Sequence, residues 1–383
     1  LSLMGDGDLD FDEFVTPGEP VPFWFTRVGG RVISSYPILP GFLNVPVYFV
    51  AAKAGVPLDE AHRAMLSMIT GSLIAAASVV FFFLAASRLF TWRTAALAAI
   101  VYAFGTTVFS VAARGIWQHG PSLLFLTCAI WLLTRGTHAS VSLAGLMLGF
   151  AVFNRPVNAL IVAPLGLLVL MQHSRRTFAL FAFLGAIPMA LMSWYSITHW
   201  GSILNLGQYA VAKGEHDLFR IDGFFSGLAG ILFNPSRGLF VFTPLFIFSF
   251  IAMARLLRQP SRNPLLVALS AGVLLTLGLY AIFTIWWGGS CFGYRLLTEI
   301  VPALMLVAAW GWETLFRGRA VRLTIALTAA ISFSTHLLGA YYAPCGFDYV
   351  PNDINHHPER LWSVRDGELA RCTAKALKLD VDR

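Results

Sequence analysis

The chain has 383 residues, of which 57% are hydrophobic and 12% are charged. A soluble globular domain carries about twice that charged fraction, so the composition excludes an ordinary soluble protein and indicates one that crosses a membrane several times. The net charge of +7 is also compatible with a nucleic-acid-binding protein. We exclude that class because the basic residues lie in short loops between apolar segments, as membrane orientation requires.

Residues 1–62 are predicted to form an outward-facing region rich in proline, glycine and aromatic residues. It opens with GDGDLDFDEF, residues Gly5–Phe14. Placing Glu13 at position 12 of a calcium-binding EF-hand loop puts Gly7 at the required position 6, but it also puts Met4 at ligand position 3. A solvated acidic turn is therefore favoured over a calcium site. A third interpretation is that these carboxylates line an outward cavity.

A short helix is expected later in the same region, over PGFLNVPVYFVAA (Pro40–Ala52). Its aromatic content and that of the preceding segment suit the boundary between lipid and water. We therefore predict that this helix lies at the membrane surface and does not span the bilayer.

Residues 63–342 are predicted to form an all-α polytopic bundle of about ten membrane-spanning helices. Alternate loops are short and rich in arginine, which marks the cytoplasmic side and directs both ends of the region outward. One further span is expected before Leu1, because the chain starts in an outward region without methionine. The predicted spans are 66–86, 95–112, 119–134, 140–153, 157–171, 177–197, 238–256, 265–286, 299–316 and 321–342.

Residues 343–383 are predicted to form a polar tail on the outward side. Cys345 and Cys372 both fall in this tail, and an oxidising compartment would allow a disulfide between them. No group of residues has the spacing of a metal site, so none is predicted, and a requirement for a divalent metal is left open.

Polar and glycine-rich interruptions concentrate at the outward ends of the spans, which predicts a cavity that opens on that side. Arg155, Arg237 and Arg295 lie in these interruptions, and a guanidinium matches the oxygens of a phosphate. The alternative is that such arginines extend to the interface without binding anything. His119 is a candidate to bind phosphate or carry a proton, or else belongs to an interfacial aromatic belt.

The ordered set of motifs resembles the GT-C-fold membrane glycosyltransferases, in particular bacterial and archaeal relatives of protein O-mannosyltransferases and lipid A aminoarabinose transferases. The motifs run through nearly the whole chain. They are SLMGDGDLDF, TRVGGRVISSYPILPGFLNVP, WQHGPSLL, NRP, YSITHWGSILNLGQY, FNPSRGLFVFTP, WWGGSCFGYRLLTEIVP and PERLW.

The resemblance implies an enzyme of the cell membrane that moves a hexose or pentose from a polyprenyl-phosphate carrier to a glycan, lipid or protein acceptor on the outer face. A carboxylate in the first outward loop would act as the base. Asp8, Asp10, Asp12 and Glu13 are the candidates, although the matching acidic pair of the family falls before Leu1.

The same resemblance places Tyr36 near the donor. The alternatives are a transporter or lipid flippase, which would show repeated halves, and a truncated, inactive family member.

Overall fold

A computed structural model describes residues 2, 7–16, 19–22, 24–203, 217–259 and 263–379. The protein is mostly helical, at 71%. Two strands form an antiparallel hairpin, β1 (Phe25–Val28) and β2 (Arg31–Ser34). The helices α1 to α15 are, in chain order, Leu39–Lys53, Glu60–Leu89, Trp92–Phe104, Thr107–Ser110, His119–Arg135, His138–Asn154, Ala159–Gln172, Arg175–Trp200, Phe224–Phe233, Leu239–Phe242, Phe246–Leu257, Pro264–Ala281, Val301–Thr314, Arg319–Tyr342 and Glu368–Ala376.

Side-chain caps fix the start of several long helices. Asp59 accepts a hydrogen bond from the backbone of His62 at the start of α2, and Ser174 does the same for Thr177 at the start of α8. Such caps satisfy amide groups that have no partner inside the helix. Gly136 ends α5 with a φ of 68°, a left-handed conformation that glycine adopts without steric cost.

Among the described residues, six segments are long and apolar enough to cross a membrane: Glu60–Leu89, Trp92–Ser110, Arg175–Trp200, Pro264–Ala281, Arg295–Thr314 and Arg319–Tyr342. They coincide with six of the ten predicted spans. Shorter helices stand at the other predicted positions, so the total of ten is not confirmed. The predicted span 238–256 differs most, because the chain breaks at Thr243–Pro244 into the separate helices α10 and α11.

The centre of the bundle is α13, whose residues from Val301 to Gly311 are all buried. Around it, helices approach closely where glycine removes the side chain. A Cβ atom on Gly145 or Gly149 of α6 would lie 2.0 or 2.3 Å from a backbone oxygen of α8. Small residues four positions apart allow this contact between membrane helices.

The loops predicted to be cytoplasmic meet at one end of the bundle. Arg88 donates a hydrogen bond to the backbone of Thr134, and the carboxylate of Glu313 accepts one from the backbone of Thr91 at 2.8 Å. The short loops that join α2 to α3, α5 to α6 and α13 to α14 therefore lie together. Their cytoplasmic orientation stays a prediction.

The first region and the tail are ordered structures that pack on the opposite end. Gly29 and Gly30 form the hairpin turn with φ values of 58° and 87°, as a tight two-residue turn requires. The expected helix over Pro40–Ala52 is present as α1. In the tail, Cys345 and Cys372 form a disulfide with a Cα–Cα distance of 5.0 Å. The division into regions 1–62, 63–342 and 343–383 stays a prediction.

Candidate functional site

A buried group of charged side chains joins four segments of the bundle. The carboxylate of Glu299 contacts Nδ1 of His119 at 2.8 Å and is bonded by Nη1 of Arg155. Nη2 of Arg155 in turn donates to the hydroxyl of Tyr280 at 2.9 Å. We call His119, Arg155, Tyr280 and Glu299 the Glu299 cluster, and each of its members is at most 5% exposed.

The positions of these side chains follow from the local fold. His119 begins α5, Arg155 follows the last residue of α6 in an extended conformation, and Glu299 lies in the 3₁₀ helix Arg295–Ile300 that leads into α13. The structure therefore brings two predicted residues, His119 and Arg155, together on a carboxylate that the sequence reasoning missed. The charge of Arg155 is balanced by Glu299 inside the protein.

Arg295 lies one helical turn before Glu299 and in a different environment. Its Nη2 donates to the backbone oxygen of Gly288 at 2.6 Å, and its guanidinium lies 5.3 Å from the ring centre of Trp117. Its Nε is buried and has no hydrogen-bond partner among the described residues. A buried donor without a partner is costly, and the Nε of Arg237 is in the same state. Arg295 differs from Arg237 because it is partly exposed and forms no ion pair among the described residues, so its guanidinium is suited to an external acceptor.

Tyr36 lies within electrostatic reach of this guanidinium. Burial raises the pKa of Tyr36, while the positive charge of Arg295 acts in the opposite direction. The structure therefore brings two of the predicted phosphate-binding residues together. We call Tyr36, Trp117 and Arg295 the Arg295 face.

Arg237 lies elsewhere and serves the tail. It is 1% exposed and forms ion pairs of 2.7 Å with both Asp348 and Glu368. Glu368 also accepts a hydrogen bond from the backbone of Gly293 at 2.8 Å. We call Arg237, Asp348 and Glu368 the tail cluster. It attaches the tail to the loop that precedes Arg295 and pairs both terminal nitrogens of Arg237, while the buried Nε of Arg237 has no hydrogen-bond partner among the described residues.

Two carboxylates share one guanidinium in the tail cluster. Burial raises the pKa of Glu368 to about 8, and Asp348 adds to this effect while Arg237 opposes it. Burial also raises the pKa of Asp348. The cluster therefore holds a carboxyl group that can take up a proton near neutral pH.

The four candidate acids of the first region have different surroundings. Asp8 accepts a hydrogen bond from Ser2, and Asp12 accepts one from the backbone of Val32 in β2 at 2.6 Å. Glu13 is exposed.

Asp10 is the buried member of this group. It is 8% exposed, lies 3.9 Å from the guanidinium of Arg31, and acts electrostatically on Tyr195 of α8. Asp10 is therefore within electrostatic reach of the bundle, and it also contributes to the turn, because its carboxylate accepts a hydrogen bond from the backbone of Asp12 at 3.5 Å.

The calcium-loop alignment remains untested in its first half. Met4 and Asp6 fall within residues 3–6, which lie outside the described residues, as does part of the segment Trp200–Tyr209. In the described part of the chain, the carboxylate of Asp12 serves as a hydrogen-bond acceptor for β2.

Comparison with known proteins finds structural relatives only. Two crystal structures of the Archaeoglobus fulgidus oligosaccharyltransferase match, one in the apo form and one tethered through a disulfide bond to an acceptor peptide that contains the NVT sequon. The TM-scores are 0.53 and 0.54, and the sequence identities are 14% and 13%. The fold resembles that of an oligosaccharyltransferase.

The match covers 90% of this chain, which spans about half of the length of the oligosaccharyltransferase, 54% and 53% in the two structures. No family profile and no curated protein matches the chain. The likeness supports the GT-C resemblance in general. A specific relation to O-mannosyltransferases or aminoarabinose transferases stays a prediction.

Proposed function

We propose that the protein is an integral membrane glycosyltransferase that moves a sugar from a polyprenyl-phosphate carrier to an acceptor at the outer face of the membrane. The fold shared with an oligosaccharyltransferase supports this proposal. The observation that carries it is Arg295, which is partly exposed and, unlike Arg155 and Arg237, forms no ion pair with a carboxylate among the described residues. A carrier phosphate supplies the oxygen acceptors that this guanidinium lacks.

In this proposal the Arg295 face binds the phosphate of the carrier. Arg295 donates hydrogen bonds to the phosphate oxygens, and Tyr36 contributes a phenol hydroxyl at the same place. As the bond between the anomeric carbon and the phosphate oxygen breaks, negative charge grows on the phosphate. A fixed guanidinium stabilises that charge without reorganisation of solvent.

Asp10 is the proposed base. The acceptor hydroxyl attacks the anomeric carbon, its oxygen forms the new glycosidic bond, and its proton passes to the carboxylate of Asp10. The segment that carries Asp10 pairs with β2 through Phe11, whose backbone donates to Val32 at 2.8 Å. Because β2 leads directly to Tyr36, the acidic turn and this member of the Arg295 face belong to one folded segment.

Arg155 and Arg237 have other roles in this proposal. Glu299 neutralises Arg155, and the two carboxylates of the tail cluster neutralise Arg237. Both are therefore proposed to stabilise the structure around the site and not to bind the phosphate. Arg295 is then the principal residue that binds the phosphate.

The test is sugar transfer by the purified protein in lipid nanodiscs, with a panel of polyprenyl-phosphate hexoses and pentoses. We expect transfer by the wild type and a loss of about 10²-fold or more in R295Q. The matched control is R93Q, a change of an exposed arginine at the other end of the bundle. Equal rates for R295Q and R93Q, or no transfer from any donor, would contradict the proposal.

A further inference from the structure

The contacts of His119 determine which of its ring nitrogens carries the proton. Nδ1 lies 2.8 Å from Oε1 of Glu299 and 3.1 Å from Nη1 of Arg155. Glu299 is bonded by Arg155 and is therefore an ionised acceptor, whereas a guanidinium can only donate. The shorter contact is the one to the carboxylate. We therefore assign the proton to Nδ1, which donates to Glu299.

This tautomer leaves Nε2 with a lone pair on the far side of the ring. Nε2 has no hydrogen-bond partner among the described residues, and the His119 side chain belongs to a residue that is 5% exposed. His119 lies two residues after Trp117, the ring on which the guanidinium of Arg295 packs. The positive charge of Arg295 also acts on His119. Nε2 is thus an unused hydrogen-bond acceptor beside the Arg295 face.

An acceptor at this place selects for a donor group on the ligand. A fully ionised phosphate offers only acceptor oxygens, so it does not complement Nε2. A sugar offers hydroxyl groups, which donate. A site that is built to bind a hydroxyl discriminates strongly against a ligand that lacks it, because its own polar group is then left without a partner.

We propose that His119 recognises a sugar hydroxyl of the carrier-linked donor through Nε2, and that Glu299 is the positioning residue that fixes its ring and tautomer. This inference rests on the proposed function and assigns the two parts of the donor to different residues. Arg295 binds the phosphate, which is common to every carrier, and His119 recognises the sugar. Arg155 acts indirectly, because it keeps Glu299 ionised and in place.

The experiment compares binding of two probes to the protein in nanodiscs. One is undecaprenyl phosphate without sugar, and the other is the same carrier bearing the sugar that the wild type transfers. In the variant H119N, the side-chain amide retains a donor near Nδ1 for Glu299 and lacks any atom at Nε2. We expect H119N to bind bare undecaprenyl phosphate like the wild type and to bind the sugar-bearing carrier about 10-fold or more weakly.

The variant E299Q should show the same pattern, because it keeps the size of the side chain and removes the charge that orients His119. E299D, which restores the charge, should recover part of the sugar-dependent affinity. R295Q should weaken the binding of both probes equally, in contrast to H119N. A thermal unfolding curve for each variant separates loss of folding from loss of recognition.

Each outcome discriminates between the two proposals. A wild type that binds neither probe overturns the proposed function and this inference with it. A wild type that binds both probes equally overturns the inference and leaves the phosphate site in place. Folded H119N and E299Q that match the wild type for both probes, or weaken both to the same extent, also overturn the inference.

Discussion

Replacement of Arg237 by methionine tests whether the tail cluster holds the tail on the bundle. Methionine keeps most of the volume and removes the charge. Arg237 is 1% exposed, and its two ion pairs of 2.7 Å lead to carboxylates that are also buried. Loss of one partner of a buried ion pair costs about 3–5 kcal/mol, because the other charge stays buried without compensation. We expect R237M to lose about this much free energy of unfolding.

The assay is unfolding of the purified protein in mixed micelles by increasing SDS, followed by tryptophan fluorescence. The matched control is R220Q, since Arg220 forms an ion pair with Asp222 in which both side chains are more than half exposed, at 62% and 67%. Such exposed pairs contribute little, so R220Q should unfold like the wild type. Equal unfolding curves for R237M and R220Q would refute the reasoning. The triple variant R237M/D348N/E368Q, which removes all three charges, should be more stable than R237M alone.

Three further predictions concern the tail and the helix packing. The pKa of Glu368 is raised from 4.5 to about 8, so the stability that this group contributes is complete below pH 4.5 and is lost as the pH rises through 8. The rate of proteolysis of the tail should therefore increase between these pH values in the wild type and stay constant in E368Q. In G149A the new Cβ would lie 2.3 Å from a backbone oxygen of α8, which should lower the free energy of SDS unfolding by about 1–3 kcal/mol. In the control G166A the nearest atom to the new Cβ is 3.9 Å away, so the free energy of unfolding should not change. Reduction of the Cys345–Cys372 disulfide, which links residues 27 positions apart, should lower the free energy of unfolding by about 3–4 kcal/mol, and the serine double variant should lose its response to reductant.

The sequence predicts the helical elements well, because their apolar windows depend on local composition alone. The short helix α1 follows from an equally local pattern. The sequence only allows the Cys345–Cys372 disulfide, which the fold forms between residues 27 positions apart. The broken span near Thr243 shows the limit of this approach. Its composition is apolar throughout, and Pro244 is the only local signal for the break between α10 and α11.

The contacts of the site depend on residues that are distant in the sequence. Glu299 stands 144 positions from Arg155, and in the sequence it is one acid at the edge of an apolar window. The same holds for Arg237, whose partners lie 111 and 131 positions later in the tail. Arginine at a span end predicts that a charge is present. Only the fold shows that Arg155 and Arg237 are paired with buried carboxylates, while Arg295 forms no ion pair among the described residues.

The same reasoning explains the acidic turn. Alternation of aspartate with glycine and hydrophobic residues indicates a turn, and four carboxylates appear equivalent in the sequence. The fold distinguishes them, because the backbone of β2 bonds to Asp12, while Asp10 is the buried member. The hairpin of β1 and β2, with its glycines at Gly29 and Gly30, was not predicted from the sequence, and neither was its pairing with the acidic turn.

The most direct test of the account is transfer of radiolabelled sugar from polyprenyl-phosphate donors by the wild type, D10N and E13Q in nanodiscs. The two variants remove one carboxylate each from the same turn, Asp10 buried and Glu13 exposed. The account predicts transfer by the wild type and E13Q, and a loss of about 10²-fold or more in folded D10N. Absence of transfer by the wild type across the donor panel, or equal rates for D10N and E13Q, would contradict it.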